Sequence, residues 1–188
     1  MKKILFILLT LATSNTYALS PYWIGAGTVT HNFLSAQSST TGSTKVVEIA
    51  PTIFAGVTIP FFSSGLYFAP GLGYAKFSTK DNTSKNEYII QYHFTHAPSS
   101  FFQFRYGFSN YITKLSGDGG TIVLSNGTST STFYTPAETE TSYTASMDVA
   151  GDFIFSSQWT ARIQFSLMRF LSNTSRRVSN IITLNYYF

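Results

Sequence analysis

From residue 45 to the end the chain alternates apolar and polar positions with a period of two. In 45–60, Val47, Ile49, Pro51, Ile53, Ala55, Val57 and Ile59 share one face, and Glu48, Ala50, Thr52, Gly56 and Thr58 the other. In 66–75, Leu66, Phe68, Pro70, Leu72 and Tyr74 alternate with Tyr67, Ala69, Gly71, Gly73 and Ala75. The same parity runs through 87–96 (Tyr88, Ile90, Tyr92, Phe94), 101–113 (Phe102, Phe104, Tyr106, Phe108) and 143–153 (Tyr143, Ala145, Met147, Val149, Phe153). It continues through 159–167 (Trp159, Ala161, Ile163, Phe165, Leu167) and 178–188 (Val178, Ile182, Leu184, Tyr186, Phe188). Residues 21–33 alternate more weakly around Gly25-Ala26-Gly27. Side chains of a strand point to opposite faces in turn, so each segment predicts a strand, and there are eight.

The connections alternate in length. Short ones fall near 61–64, 97–99 and 156–158, and longer ones near 34–44, 79–86, 115–142 and 172–177. Short turns on one side and long loops on the other is the layout of an outer-membrane barrel. Backbone groups cannot stay unpaired in lipid, so the strands must close into an even-numbered antiparallel meander. A soluble sandwich would need a charged outer face. Here the non-apolar face is Gly, Ala, Ser and Thr with about one charge per strand, too few for a solvated exterior and suited to a crowded interior.

Composition sharpens this. Charged residues are 11% and aromatics 17% of 188 residues, with 18 Phe, 12 Tyr and 2 Trp. Charge is less than half the usual ~25% of soluble domains. Beyond residue 20 no run approaches the ~20 apolar residues of a membrane helix. The absence of cysteine excludes disulfides and thiol chemistry, and three histidines leave little for a metal centre, so no cofactor or metal is expected. A net charge of +4 is small for nucleic-acid binding. Lys2 and Lys3, the apolar core Ile4–Leu11 and Thr16-Tyr17-Ala18 read as a signal peptide over 1–18, leaving 19–188 as the barrel domain. Removing Lys2 and Lys3 leaves ten of the 12 basic residues against 8 acidic ones.

The pattern resembles the small eight-stranded outer-membrane proteins: the OmpA transmembrane domain, OmpX, OmpW and opacity-type barrels. Leu66-Tyr67-Phe68-Ala69-Pro70-Gly71-Leu72-Gly73-Tyr74 and the closing Ile182-Thr183-Leu184-Asn185-Tyr186-Tyr187-Phe188 carry the resemblance. It implies that Tyr186 and Phe188 form the signal read by the barrel assembly machinery, although Thr183 stands where a glycine is frequent. It implies a non-enzymatic protein of the bacterial outer membrane for envelope integrity or surface contact, without a trailing peptidoglycan-binding domain. The rival readings are an OmpW-like narrow channel for small or apolar solutes and a lipid A-modifying enzyme. For the enzyme, Gly107-Phe108-Ser109-Asn110 lacks the histidine of the deacylase pattern. His31, Asp81 and Ser84 are the residues available for a palmitoyltransferase-like rim site, with His31 otherwise a rim residue.

Two sets of charges remain. By parity Glu48, Glu87, His93, Arg105, Asp148, Asp152 and Arg162 point inward. An eight-stranded barrel is wide enough only for its own side chains, so these charges must pair. A turn symmetric about Ser157 sets Asp152 opposite Arg162. Lys45, Lys76, Lys114, Arg169 and Arg176 share the lipid-facing parity at the long-loop end, where a basic ring would meet lipopolysaccharide phosphates. Pro51 and Pro70 each remove a ladder donor in mid-strand, where bulges are the expected accommodation. The loop 115–142 reads as low-complexity and identifies no ligand.

Overall fold

The computed structural model describes residues 21–31, 47–61, 65–77, 84–125, 130–134, 136–172 and 176–188. Eight antiparallel strands close on themselves. They are β1 (Tyr22–His31), β2 (Glu48–Val57) continued by β3 (Ile59–Phe61), β4 (Leu66–Phe77), β5 (Ser84–His96), β6 (Phe102–Ser116), β9 (Glu140–Ile154), β10 (Trp159–Met168) and β11 (Arg177–Tyr187). Each pairs with its sequence neighbour in the barrel, and β1 closes on β11. The remaining strands, β7 (Thr121–Ser125) and β8 (Thr130–Tyr134), form a separate hairpin between β6 and β9. The segment read as a low-complexity loop over 115–142 therefore holds the end of β6, a paired hairpin and the start of β9.

The registers fix the shape. From Trp23 they lead through Gly56, Gly71, Gln91, Ser109, Ser146 and Met168 to Arg177. In the other direction Trp23 pairs with Tyr187 of the same strand, ten residues away. A stagger of ten on eight strands tilts them by roughly 40°. Ten residues at ~3.3 Å, so tilted, rise about 25 Å, the height of a membrane-facing apolar band. That face carries Ile24, Ile53, Leu72, Phe108, Val149 and Leu184, all exposed. The opposite parity is mostly buried, with exposed positions such as Ser142 and Arg177 at the long-loop end.

The two prolines are not accommodated by bulges. The register is constant along every barrel ladder. The β2–β4 ladder instead runs only from Thr52↔Ala75 to Gly56↔Gly71, and Pro51 and Pro70 lie one step beyond its two ends. Thr58 N donates to Pro21 O of the β1 side at 2.6 Å, so odd-numbered residues of β2 aim their N–H at β4. Pro51, and Pro70 opposite Val57, thus remove donors at this one seam. The gap at Pro70 divides β2 from β3, while Pro60 keeps its place opposite Tyr67 because its nitrogen faces away from β4.

Candidate functional site

The inward faces stack polar groups in layers. Nearest the short turns, Asp152 accepts from Arg105 Nε at 2.6 Å and from Arg162 Nε at 2.8 Å. Arg105 Nη2 also donates to the Tyr187 hydroxyl at 2.9 Å. The Arg162 guanidinium lies 4.5 Å from the Trp23 ring and that of Arg105 5.6 Å. All five residues are buried. Trp23 has room because Gly56 and Gly71 face it. A Cβ on Gly56 would lie 2.4 Å from the indole and 2.5 Å from Pro70 O. Turn symmetry sets Asp152 opposite Arg162, and the structure adds Arg105 across the β6–β9 ladder, so the unit is a triad.

In the next layer Asp148 accepts from His93 Nε2 at 2.9 Å, from Ser146 Oγ at 2.7 Å and from Ser109 Oγ. Above it Gln91 donates to Gln164, Gln164 to Ser166, and Tyr111 to Ser166. A fourth layer joins His31 to Glu87 at 2.8 Å and to Ser179 at 3.0 Å, with Thr113 donating to the second Glu87 oxygen at 2.8 Å. His31 is thus not a rim residue. It is buried and stacked on Phe77. At the mouth Glu48, only half-buried, pairs with Lys85. Every carboxylate of the interior has a basic partner, which offsets the cost of removing it from water.

Sequence reasoning missed Trp23, Tyr111, Gln91, Gln164, Ser179 and Tyr187, and took His31 for a rim residue. Strand parity already turns them inward. What it does not give is which of them meet, because that depends on registers between strands far apart in the chain.

Neither catalytic arrangement weighed from the sequence assembles among the described residues. His93 stands opposite Gly107, where the deacylase pattern wants its histidine, but Ser109 donates to Asp148 and not to His93. His31 turns to Glu87 and Ser179, while Ser84 sits at the edge of β5 opposite Ser116, and Asp81 lies outside the described residues. Ser179 donates to Thr30 O at 3.1 Å and has no exposed surface.

On the outer face, Lys76 and Lys114 are exposed at the long-loop end, Lys114 Nζ lying 5.4 Å from the Tyr88 ring. Arg176 is exposed just before β11, whereas Arg169, expected in the same ring, occupies a turn after β10 with φ 54° and borders the cavity at the barrel mouth. Lys45 lies outside the described residues. At the opposite end Tyr186 packs on Trp159 with centroids 5.0 Å apart, and Phe188 N donates to Tyr22 O at 3.1 Å.

The structure is similar to that of Ail, the attachment invasion locus protein of Yersinia pestis, with a TM-score of 0.51 at 7% identity over 89% of this chain and 98% of that one. The chain has the fold of the small eight-stranded outer-membrane barrels. Ail in complex with the heparin analogue sucrose octasulfate gives the same TM-score at 8% identity. The N-terminal barrel domain of Pseudomonas aeruginosa OprF matches with a TM-score of 0.47 at 11% identity, covering 90% of this chain and 98% of that one. No family model and no curated protein matches the sequence. The closed barrel and its apolar outer belt place the protein in the bacterial outer membrane.

Proposed function

We propose that this barrel is a non-enzymatic surface protein that is anchored in the lipopolysaccharide leaflet and presents its β7–β8 hairpin outward for adhesion-like contact. The observation that carries the reading is that hairpin, a paired element outside the barrel sheet at the long-loop end. Binding residues are disproportionately carried on loops held by a rigid scaffold. The interior supports the same reading. Each described interior carboxylate has a basic partner, and hydrogen bonds link side chains across strands in successive layers, as suits a closed polar lumen that works as a structural plug. The basic residues Lys76, Lys114 and Arg176, with Lys45, fit contact with lipopolysaccharide phosphates from the lipid side. Tyr186 and Phe188 on the outward face of the last strand fit recognition by the barrel assembly machinery. Ail, named for attachment and invasion and seen with a heparin analogue, has the same fold and makes a sulfated glycan a sensible first surface to test.

The test removes the hairpin and keeps the barrel. Ser116 Oγ lies 2.7 Å from Thr139 Oγ1, so Asn-Gly in place of 117–138 closes β6 onto β9 as a two-residue hairpin. Cells carrying this variant should keep the protein in the outer membrane with heat-modifiable gel mobility. Their adhesion to a heparin-coated surface should fall to that of cells lacking the protein. Undiminished adhesion would sink the reading.

A further inference from the structure

We propose that the outer mouth of the barrel holds a binding site for one tetrahedral oxyanion, a phosphate or a sulfate, anchored by Arg169 and Arg177. A cavity of about 130 Å³ opens there, above the His31–Glu87 layer. It has room for about four waters at ~30 Å³ each, the size of a single oxyanion and not of an extended chain.

Basic side chains outnumber carboxylates around it, with Lys85, Arg169 and Arg177 against Glu48 and Glu87. Glu87 is taken by His31 and Thr113, and Glu48 by Lys85. Arg169 and Arg177 also line the cavity, and among the described residues neither forms an ion pair with a carboxylate. Guanidinium groups bind phosphate and sulfate oxygens through paired N–H donors. Ser142 and Thr144 bring hydroxyl groups to the same wall.

Arg169 adds an independent observation. It is the one non-glycine residue with positive φ among the described residues, at 54°. A side chain with a Cβ is disfavoured there, and such strain collects where a ligand is clamped. The turn is held by Arg169 N donating to Ala145 O at 3.0 Å and Ser172 N donating to Arg169 O at 2.9 Å. Arg177 shares the inward parity of β11 with Ser179 and Ile181. The site therefore lies inside the rim and takes anions arriving from the exterior, unlike Lys76 and Lys114 on the lipid-facing side. It goes beyond the adhesion reading and depends on neither the hairpin nor lipopolysaccharide.

The test uses the full barrel refolded in zwitterionic micelles free of lipopolysaccharide, titrated by amide NMR at constant ionic strength. The probes are inorganic phosphate, inorganic sulfate and a monosulfated disaccharide. Saturable shifts are expected at Thr144, Arg169 and Arg177. Arg177→Gln and Arg169→Gln should each weaken binding at least about tenfold, since charged hydrogen bonds are the strong ones. Arg177→Lys should fall between, and Lys76→Gln should bind as wild type. A disaccharide shifting the same amides identifies a glycan ester as an acceptable source, whereas response to the inorganic ions alone identifies the free anion. Heat-modifiable mobility checks folding, and Thr144→Val serves as a second variant should Arg177→Gln not refold. Non-saturating shifts in wild type, or unchanged affinity in Arg169→Gln and Arg177→Gln, would overturn the site.

Discussion

Asp152 stands directly across the β9–β10 ladder from Arg162, and Arg162 Nε donates to its carboxylate at 2.8 Å. Arg105 reaches the other carboxylate oxygen from β6. One acid thus serves two buried guanidinium groups, and this sharing decides how substitutions behave. Asp152→Asn should cost roughly 3–5 kcal/mol, the range for breaking a buried ion pair from one side. Adding Arg162→Gln alone should recover little, because Arg105 remains without its anion. The triple change with Arg105→Gln should recover most. Urea unfolding in lipid vesicles measures all three, and full recovery in the double variant would show that Arg105 does not depend on Asp152.

Gly56 offers a purely steric test. A methyl group there meets the Trp23 ring at 2.4 Å and the Pro70 carbonyl at 2.5 Å, and the carbonyl belongs to the backbone of a closed sheet. Gly56→Ala should therefore destabilise by about 1–3 kcal/mol, the usual cost of overpacking. The folded fraction by gel mobility and the emission of Trp23 in a Trp159→Phe background should both report it. Wild-type values in both would mean that the indole does not lie over Gly56.

Orientation follows from the connections. An epitope tag inserted at 126–129, in the β7–β8 connection, should be labelled on intact cells. One at 156–158, between β9 and β10, should be labelled only after the outer membrane is permeabilised. The reverse pattern would invert the barrel and place the basic residues in the inner leaflet.

The lipid-facing ring is tested apart from the mouth. Lys45→Gln, Lys76→Gln, Lys114→Gln and Arg176→Gln together should weaken binding to lipopolysaccharide micelles and leave the fold intact, since Lys76, Lys114 and Arg176 are exposed. Raising the salt should weaken wild type in the same direction, because exposed charges are screened over about 8 Å at physiological ionic strength. Equal binding by the fourfold variant at low and high salt would leave the ring as a row of interfacial side chains with no lipopolysaccharide role.

Alternation determined the eight barrel strands and the direction of their side chains, and with a short symmetric turn it set Asp152 opposite Arg162. These are local properties. Side-chain direction repeats every two residues, and a short turn such as 155–158 sets the register of the strands it joins. Tertiary structure decided what depends on registers across long connections. Arg105 meets Asp152 only because β6 and β9 pair across the segment holding the β7–β8 hairpin. His31 reaches Glu87 across the barrel interior, from a strand 56 residues away in sequence. Pro51 and Pro70 read as two unrelated breaks along the chain. They fall at the two ends of one ladder because β2 and β4 pair at a single register. Alternation states which way a side chain points. Only closure of the sheet, with its stagger of ten residues, states what it meets.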